Sequence, residues 1–478
     1  IVFGLAGNVV TMLLRFALRY VFIMKLGDTL TGVEGLYTDI LTMLSLAELG
    51  IGTAVNYSLY GPAARGEKEK IKSYMQLYKK AYRGIALVIA AVGLMLVPFL
   101  PVIVGDPGYI TMGQLRVYYL IYLFNTVSTY FVAWKYSLAN AEQKNYIQTN
   151  AITITKMVTV LFQMAGLFLL PNFLLYLVIQ AAVELAQKIF VSRYLDRKYP
   201  LLKEKDVRPL KKEEKDDVMS KTKALMLHRI GDMARLQTDT IIISAFLGVV
   251  WVGLIGTYKM IINSVSNYVN VIFNSVISSF GNLIATEGKD RQFELFLVYR
   301  FFAIWVYGFS AVGFFLLLSP LVELYVGAER VLPAAIISWY LIDYFFKGER
   351  IVLSNFKTAA GVFEQDKYLT LIQGLVNLVL SLALVGRMGM AGVYIGTVVS
   401  GIIANITKPV IIYRVCFGKK AGSYFVDSVK YLAVIGVTLL ILIPLQNALM
   451  PRVTVPKFLL MMALITVIFN GIFLLVFG

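Results

Sequence analysis

Apolar stretches about twenty residues long, separated by short polar connections, recur from one end of this chain to the other. A bilayer core of about 30 Å takes roughly 20 apolar residues per helix. A backbone in lipid must also satisfy its own polar groups, which leaves only helices or closed barrels. Barrel strands would alternate in character over about 10 residues, and these runs do not. Fourteen stretches of spanning length are centred near residues 13, 47, 93, 126, 158, 183, 236, 265, 307, 342, 377, 400, 437 and 467. We number them spans 1 to 14. Composition agrees, with 58% of the 478 residues hydrophobic, 15% charged and a mean hydropathy of +0.73. The fold class expected is an all-α membrane protein.

Lys and Arg concentrate in the even-numbered connections, including 65–72, 193–223 and 408–430, which by the positive-inside rule places both termini in the cytoplasm. Most of the +17 net charge is then topology, and no nucleic-acid partner is expected. Cys416 is the only cysteine and His228 the only histidine, which rules out an intramolecular disulfide and any site needing several Cys or His ligands. The chain runs from Ile1 straight into a hydrophobic segment, which reads as trimmed native sequence rather than a cleaved signal peptide.

A mixed-charge connection from Ser192 to Lys223 bisects an internal repeat. LGDTLTGVEGLY (Leu26 to Tyr37) aligns with LGVVWVGLIGTY (Leu247 to Tyr258). Gly105 aligns with Gly327, Tyr119-Leu120-Ile121 with Tyr340-Leu341-Ile342, and Glu142 with Glu364, all at offsets of 221 or 222. Six spans per copy is an even number, so the copies share one orientation, related by an axis along the membrane normal as in many transporters. The domains expected are an N-lobe over 1–198 (spans 1–6), a linker over 199–222, a C-lobe over 223–415 (spans 7–12) and spans 13–14 over 416–478. Glycines 27, 32, 35 and 248, 253, 256 mark the turns joining the first two spans of each copy.

Three spans carry polar stripes at helical spacing. Span 7 has His228, Asp232, Arg235 and Asp239, with Arg229 beside them. Span 1 has Asn8, Thr11, Arg15 and Arg19, and span 8 has Lys259, Asn263, Ser266, Asn270, Asn274 and Ser278. A central Arg or Asp costs about 2.5 to 3.5 kcal/mol in a bilayer, so such residues face a bundle interior or a hydrated cavity. The competing reading is mutual pairing, Arg229 with Asp232 and Arg235 with Asp239. Glu34, Asp39 and Glu48 of span 2 suit pairing with arginines as well as they suit cargo. Asp343, Lys347, Glu349 and Arg350 of span 10 read as an interfacial salt-bridge cluster. Arg15, Arg19, Arg229, Arg235 and Lys259 outnumber Asp232 and Asp239, so the expected cavity attracts anions. Guanidinium forks suit phosphate oxygens, and the asparagines of span 8 suit sugar hydroxyls. The expected binding residues are those five cations with Asn263 and Asn270. His228, Asp232, Asp239 and Glu48 are expected to couple or pair.

GLYTDILTMLSLAELGIGTAVNYSLYGP (Gly35 to Pro62) and MQLYKKAYRGI (Met75 to Ile85) resemble the oligosaccharide flippases of Gram-positive bacteria. Their superfamily also holds multidrug extruders and the lipid II flippase. The resemblance implies V-shaped inward- and outward-open states and export of an undecaprenyl-pyrophosphate-linked oligosaccharide, as in O-antigen, capsule or teichoic-type synthesis, across a bacterial plasma membrane. It also implies that Arg15, Arg19 and Arg235 contact the pyrophosphate. Spans 13 and 14 resemble the added pair that forms a lipid-tail groove in the lipid II branch. That branch's coupling sodium would here have Asp232 or Asp239, Asn377 and Thr397 as oxygens; the coupling ion expected is sodium or a proton, with no other cofactor. Membrane lipids, polysaccharide polymerase machinery and a monomeric state complete the expectations. The alternative is an ion-coupled multidrug exporter. An enzyme is not expected, because no extramembrane loop is large enough for a catalytic domain and no catalytic residues stand out.

Overall fold

A computed structural model describes residues 2–48, 51–204, 207–216, 218–219, 222, 237–362, 364–366 and 368–477. Among these the secondary structure is helical throughout, with no strand. Spans 1 and 2 share one segment, Val2–Leu44, broken at Gly27, and span 2 continues through Ile51–Arg65. Span 3 runs from Lys68–Leu96 into Leu100–Val104. Spans 4, 5 and 6 are Met112–Ala141, Tyr146–Leu169 and Phe173–Lys198. The described part of span 7 is Thr238–Leu247, and span 8 is Val249–Asn274 followed by Ile277–Thr286. Span 9 is Lys289–Val326, and span 10 is Ala334–Glu349 with Ile351–Ala360. Spans 11 and 12 share Leu369–Ile412, broken at Gly389; spans 13 and 14 are Gly422–Leu449 and Val455–Phe477. Within the described residues, each of the fourteen apolar stretches therefore falls on helix.

Among the described residues, eight segments are long and apolar enough to cross a membrane, and they hold spans 3, 5, 6, 8, 9 and 11 to 14. Span 10 is divided into helices of 16 and 10 residues, and the described part of span 7 is an apolar helix of 10 residues. Large apolar side chains such as Leu87, Val102, Leu169, Leu440 and Leu475 lie exposed along the helices, as lipid-facing residues do. The protein is a multi-pass membrane protein.

Two compact units divide the chain, Ile1–Gly253 and Leu254–Gly478. The first includes the corner between spans 7 and 8 because that corner packs on the corner between spans 1 and 2. A Cβ on Gly32 would fall 1.9 Å from the Val249 carbonyl oxygen, and one on Gly253 would fall 2.1 Å from that of Asp28. Backbones that close admit no side chain. The corners themselves turn on Gly27 (φ 81) and Gly248 (φ 97), 221 residues apart, in a conformation that L side chains rarely adopt.

The same matching recurs deeper in each unit. In the first, the hydroxyl of Tyr37 donates to the Leu115 carbonyl at 3.0 Å; in the second, the Leu332 N–H donates to the hydroxyl of Tyr258 at 3.0 Å. Both tyrosines are fully buried and tie the second span of a copy to the start of its fourth. Spans 13 and 14 pack on span 9 within the second unit, where the Trp305 indole donates to Asn470 Oδ1 at 2.7 Å and stacks on Phe473.

Candidate functional site

The second unit contains a polar cavity of about 440 Å³ between spans 8, 9 and 10. One wall is the stripe of span 8, with Asn263, Ser266, Asn270 and Asn274 at steps of three and four, so that one helix face points inward. The facing wall is span 10, with Tyr340, Tyr344, Lys347, Arg350 and Ser354 at steps of four and three and Asp343 beside Tyr344. Span 9 adds Tyr307, whose hydroxyl donates to Asn270 Oδ1 at 2.7 Å. Tyr307 can approach because residue 348 is a glycine: a Cβ there would fall 2.1 Å from the Tyr307 ring. Ser266 donates back to the Ile262 carbonyl at 2.6 Å, while Asn263 and Asn274 are exposed.

Charge in this cavity is held in place. Lys347 bonds Asp343 at 2.5 Å; its side chain is 42% exposed and that of Asp343 only 6%. The carboxylate thus anchors an ammonium that reaches into the open space. Arg350 is buried and donates to the Gly401 carbonyl at 2.9 Å and to the Asn405 side chain. Behind it, Glu349 accepts from Ser428 and lies 3.6 Å from Arg300, which also donates to the Tyr424 carbonyl and stacks 3.7 Å from the Tyr424 ring. This network joins spans 9, 10, 12 and 13. The expected salt-bridge cluster of span 10 does form ion pairs, Lys347 with Asp343 and Glu349 with Arg300, and Asp343, Glu349 and Arg350 are buried within the protein. Arg300 is a 2%-exposed residue within span 9. Linear sequence places a charge along a helix but does not say which later helix will cover it.

The first unit carries a matching cavity of about 230 Å³. Its lining includes Thr42, Ser45, Tyr122, Thr126 and Thr129, which lie 221 residues before Asn263, Ser266, Asp343, Lys347 and Arg350. Gln180 and Glu184 of span 6 complete it, and Glu184 lies 3.6 Å from Lys188. Ser45 bonds the Leu41 carbonyl at 2.8 Å, just as Ser266 bonds that of Ile262. The duplicated scaffold therefore makes a polar hollow at matching positions of each copy, the smaller lined mainly by hydroxyls and the larger richer in amides and charge.

The remaining candidate residues are dispersed. Arg15 is exposed and makes no ion pair among the described residues. Arg19 Nη1 bonds Glu34 Oε2 at 3.1 Å, and the Tyr176 hydroxyl donates to the other oxygen of Glu34 at 3.1 Å, joining spans 1, 2 and 6. Glu48 accepts from Tyr82, whose hydroxyl accepts from Tyr78 at 2.7 Å. Asp239 is buried at the start of Thr238–Leu247, and Lys259 is half-buried on span 8. Asn377 and Thr397 are brought together, with Asn377 Nδ2 donating to Thr397 Oγ1 at 3.4 Å; Ser381 donates to Asn377 Oδ1 at 2.8 Å and Gln373 to the Ser400 carbonyl at 2.9 Å. These bonds tie spans 11 and 12. His228, Arg229, Asp232 and Arg235 lie outside the described residues. The facing residues of span 10 were missed as cavity-lining residues, although their steps of three and four were the signal that could have found them.

No family model matches the sequence, and no curated protein matches it. Solved structures do resemble the fold. A lipid II flippase MurJ in an inward closed conformation aligns with a TM-score of 0.68 at 14% identity, covering 99% of both chains. An inward-facing multidrug resistance MATE family transporter of the MOP superfamily aligns with a TM-score of 0.65 at 14% identity, covering 83% of this chain and 92% of its own. The MATE multidrug transporter DinF-BH aligns with a TM-score of 0.60 at 15% identity, covering 87% and 95%. At these identities the likeness is one of fold.

Proposed function

We propose that this chain is a transporter of the MOP type and, more specifically, a flippase that moves an undecaprenyl-pyrophosphate-linked oligosaccharide from the inner to the outer leaflet by alternating access. The observation that carries the reading is the cavity of the second unit, an amide- and hydroxyl-lined hollow with a carboxylate-anchored ammonium. Asn263, Asn270 and Asn274 offer donors and acceptors to sugar hydroxyls. Lys347 offers charge to phosphate oxygens, where charge-assisted bonds are roughly twice as strong as neutral ones. A polar headgroup crossing in such a lining keeps hydrogen-bond partners that hydrocarbon denies it.

The whole-length likeness to a lipid II flippase supports the same reading, because it takes in spans 13 and 14, whereas the two MATE alignments leave part of this chain uncovered. A bacterial plasma-membrane setting with cytoplasmic termini, coupling to sodium or protons, a monomeric state and a neighbouring polymerase belong to this proposal. The chain binds and moves its cargo and makes no bond in it.

The test is mass spectrometry of lipids that co-purify with the protein, alongside lipids that accumulate when it is depleted. A polyprenyl-pyrophosphate oligosaccharide in both pools is the expected result. Dye efflux by the purified protein in proteoliposomes, with no such lipid in either pool, would instead favour the multidrug exporter.

A further inference from the structure

A second charged concavity lies in the first unit, where span 3 meets the linker, with a volume of about 260 Å³. Lys72, Lys79, Lys80 and Arg83 of span 3, Lys203 of the linker and Trp134 of span 4 line it. Lys72, Lys79 and Arg83 are seven and four residues apart, so one helix face presents them together. Among the described lining residues the one acid is Glu204, which is engaged by Lys72; Lys72 also bonds Glu69 at 2.8 Å. Among the described residues, Lys79, Lys80, Arg83 and Lys203 make no ion pair. Lys79 instead lies over the Trp134 ring at 5.3 Å, and Lys135, bonded to Asp196 at 2.5 Å, shares that ring at 5.6 Å.

The linker roofs this group rather than passing over it loosely. Ser73 donates to the Arg208 carbonyl at 2.6 Å, and Lys70 lies 3.5 Å from Glu214. Four like charges gathered in one concavity raise the local positive potential and draw anions to it. Tryptophan and lysine together mark headgroup depth in a bilayer, and basic pockets at that level bind phosphorylated headgroups.

We infer that this pocket binds a phosphate-bearing anion, either the headgroup of an anionic membrane lipid or a soluble phosphate compound. Its ligand is held by Lys79, Lys80 and Arg83 and is distinct from the transported cargo. The inference does not depend on what the cavity of the second unit carries.

The test titrates the full chain in detergent with cardiolipin in one arm and inorganic pyrophosphate in the other, reading native mass spectra and the shift in Tm. Saturable binding of cardiolipin alone assigns the lipid source, and saturable binding of pyrophosphate assigns the shared phosphate chemistry. The triple variant K79Q/K80Q/R83Q is expected to bind roughly 100-fold more weakly, the loss of three interfacial cations. The charge-keeping variant K79R/K80R should bind as wild type, which separates charge from folding. K211Q/K212Q/K215Q removes equal charge from exposed linker positions outside the pocket and should also bind as wild type. Absence of saturation in both arms, or equal weakening by the two glutamine triples, would overturn the assignment in favour of diffuse surface charge.

Discussion

Where the first unit presents Thr42, Tyr122, Thr126 and Thr129 to its cavity, the second presents Asn263, Asp343, Lys347 and Arg350, each 221 residues later. The backbone devices around the two hollows are shared: glycine corners at 27 and 248, tyrosine ties at 37 and 258, and serines at 45 and 266 that bond the carbonyl four residues back. The copies therefore keep matching lining positions while differing in cavity chemistry and in size, about 230 Å³ against 440 Å³. Backbone devices are what the repeat preserves; charge and amide content are what distinguish one hollow from the other.

The largest effect should come from breaking what the copies share. Gly32→Leu places side-chain atoms where the Val249 carbonyl already stands, beyond the usual overpacking cost of about 1 to 3 kcal/mol. Monodisperse protein on size exclusion should be lost, while Gly436→Leu, in open space on span 13, should be recovered normally. Recovery of both variants would mean the corner is looser than its geometry requires.

An intermediate effect should separate the two hollows. Lys347→Met is expected to weaken cargo binding about tenfold or more, the value of a charged hydrogen bond, whereas Thr126→Met at the matching position should cost less than about threefold. Affinity measured on purified cargo lipid decides this, and equal losses would erase the distinction. The smallest effect belongs to the one lining position both copies keep. Ser45→Ala and Ser266→Ala each remove a bond to a carbonyl that already sits in the helix ladder, so each should shift stability by no more than about 0.5 kcal/mol, and by the same amount. Thermal unfolding followed by tryptophan fluorescence checks the pair, and unequal shifts would show that the matching hydrogen bonds are not equivalent.

Much of this architecture was legible in the sequence because its causes are local. Runs of about twenty apolar residues fix the spans, and glycine is the residue that accepts the positive φ seen at 27, 105, 248 and 327. The stripe of span 8 was legible as a face because helical spacing alone defines it. The network behind its facing wall was not, because recognising Glu349 and Arg350 as buried requires knowing that spans 12 and 13 return to cover them. Arg19 is intermediate: its pairing with Glu34 was one of the two readings the sequence left open, while Tyr176, which donates to the same carboxylate from the sixth span, was not foreseen.

Arg300 carries a consequence for how the chain is made. Its guanidinium is enclosed by Tyr424, Ser428 and Asp427 of span 13, and Ser428 lies 128 positions further along the chain. Translation at about 5 to 20 residues per second delivers those groups on the order of ten seconds after span 9 leaves the ribosome. During that interval a cation destined for a dry interior lacks its final shell, and lipid would be a poor substitute. The last two helices are therefore not a trimmable tail: a nascent chain stopped before residue 424 would hold an unfinished second unit, exposed to quality-control proteolysis until synthesis resumes.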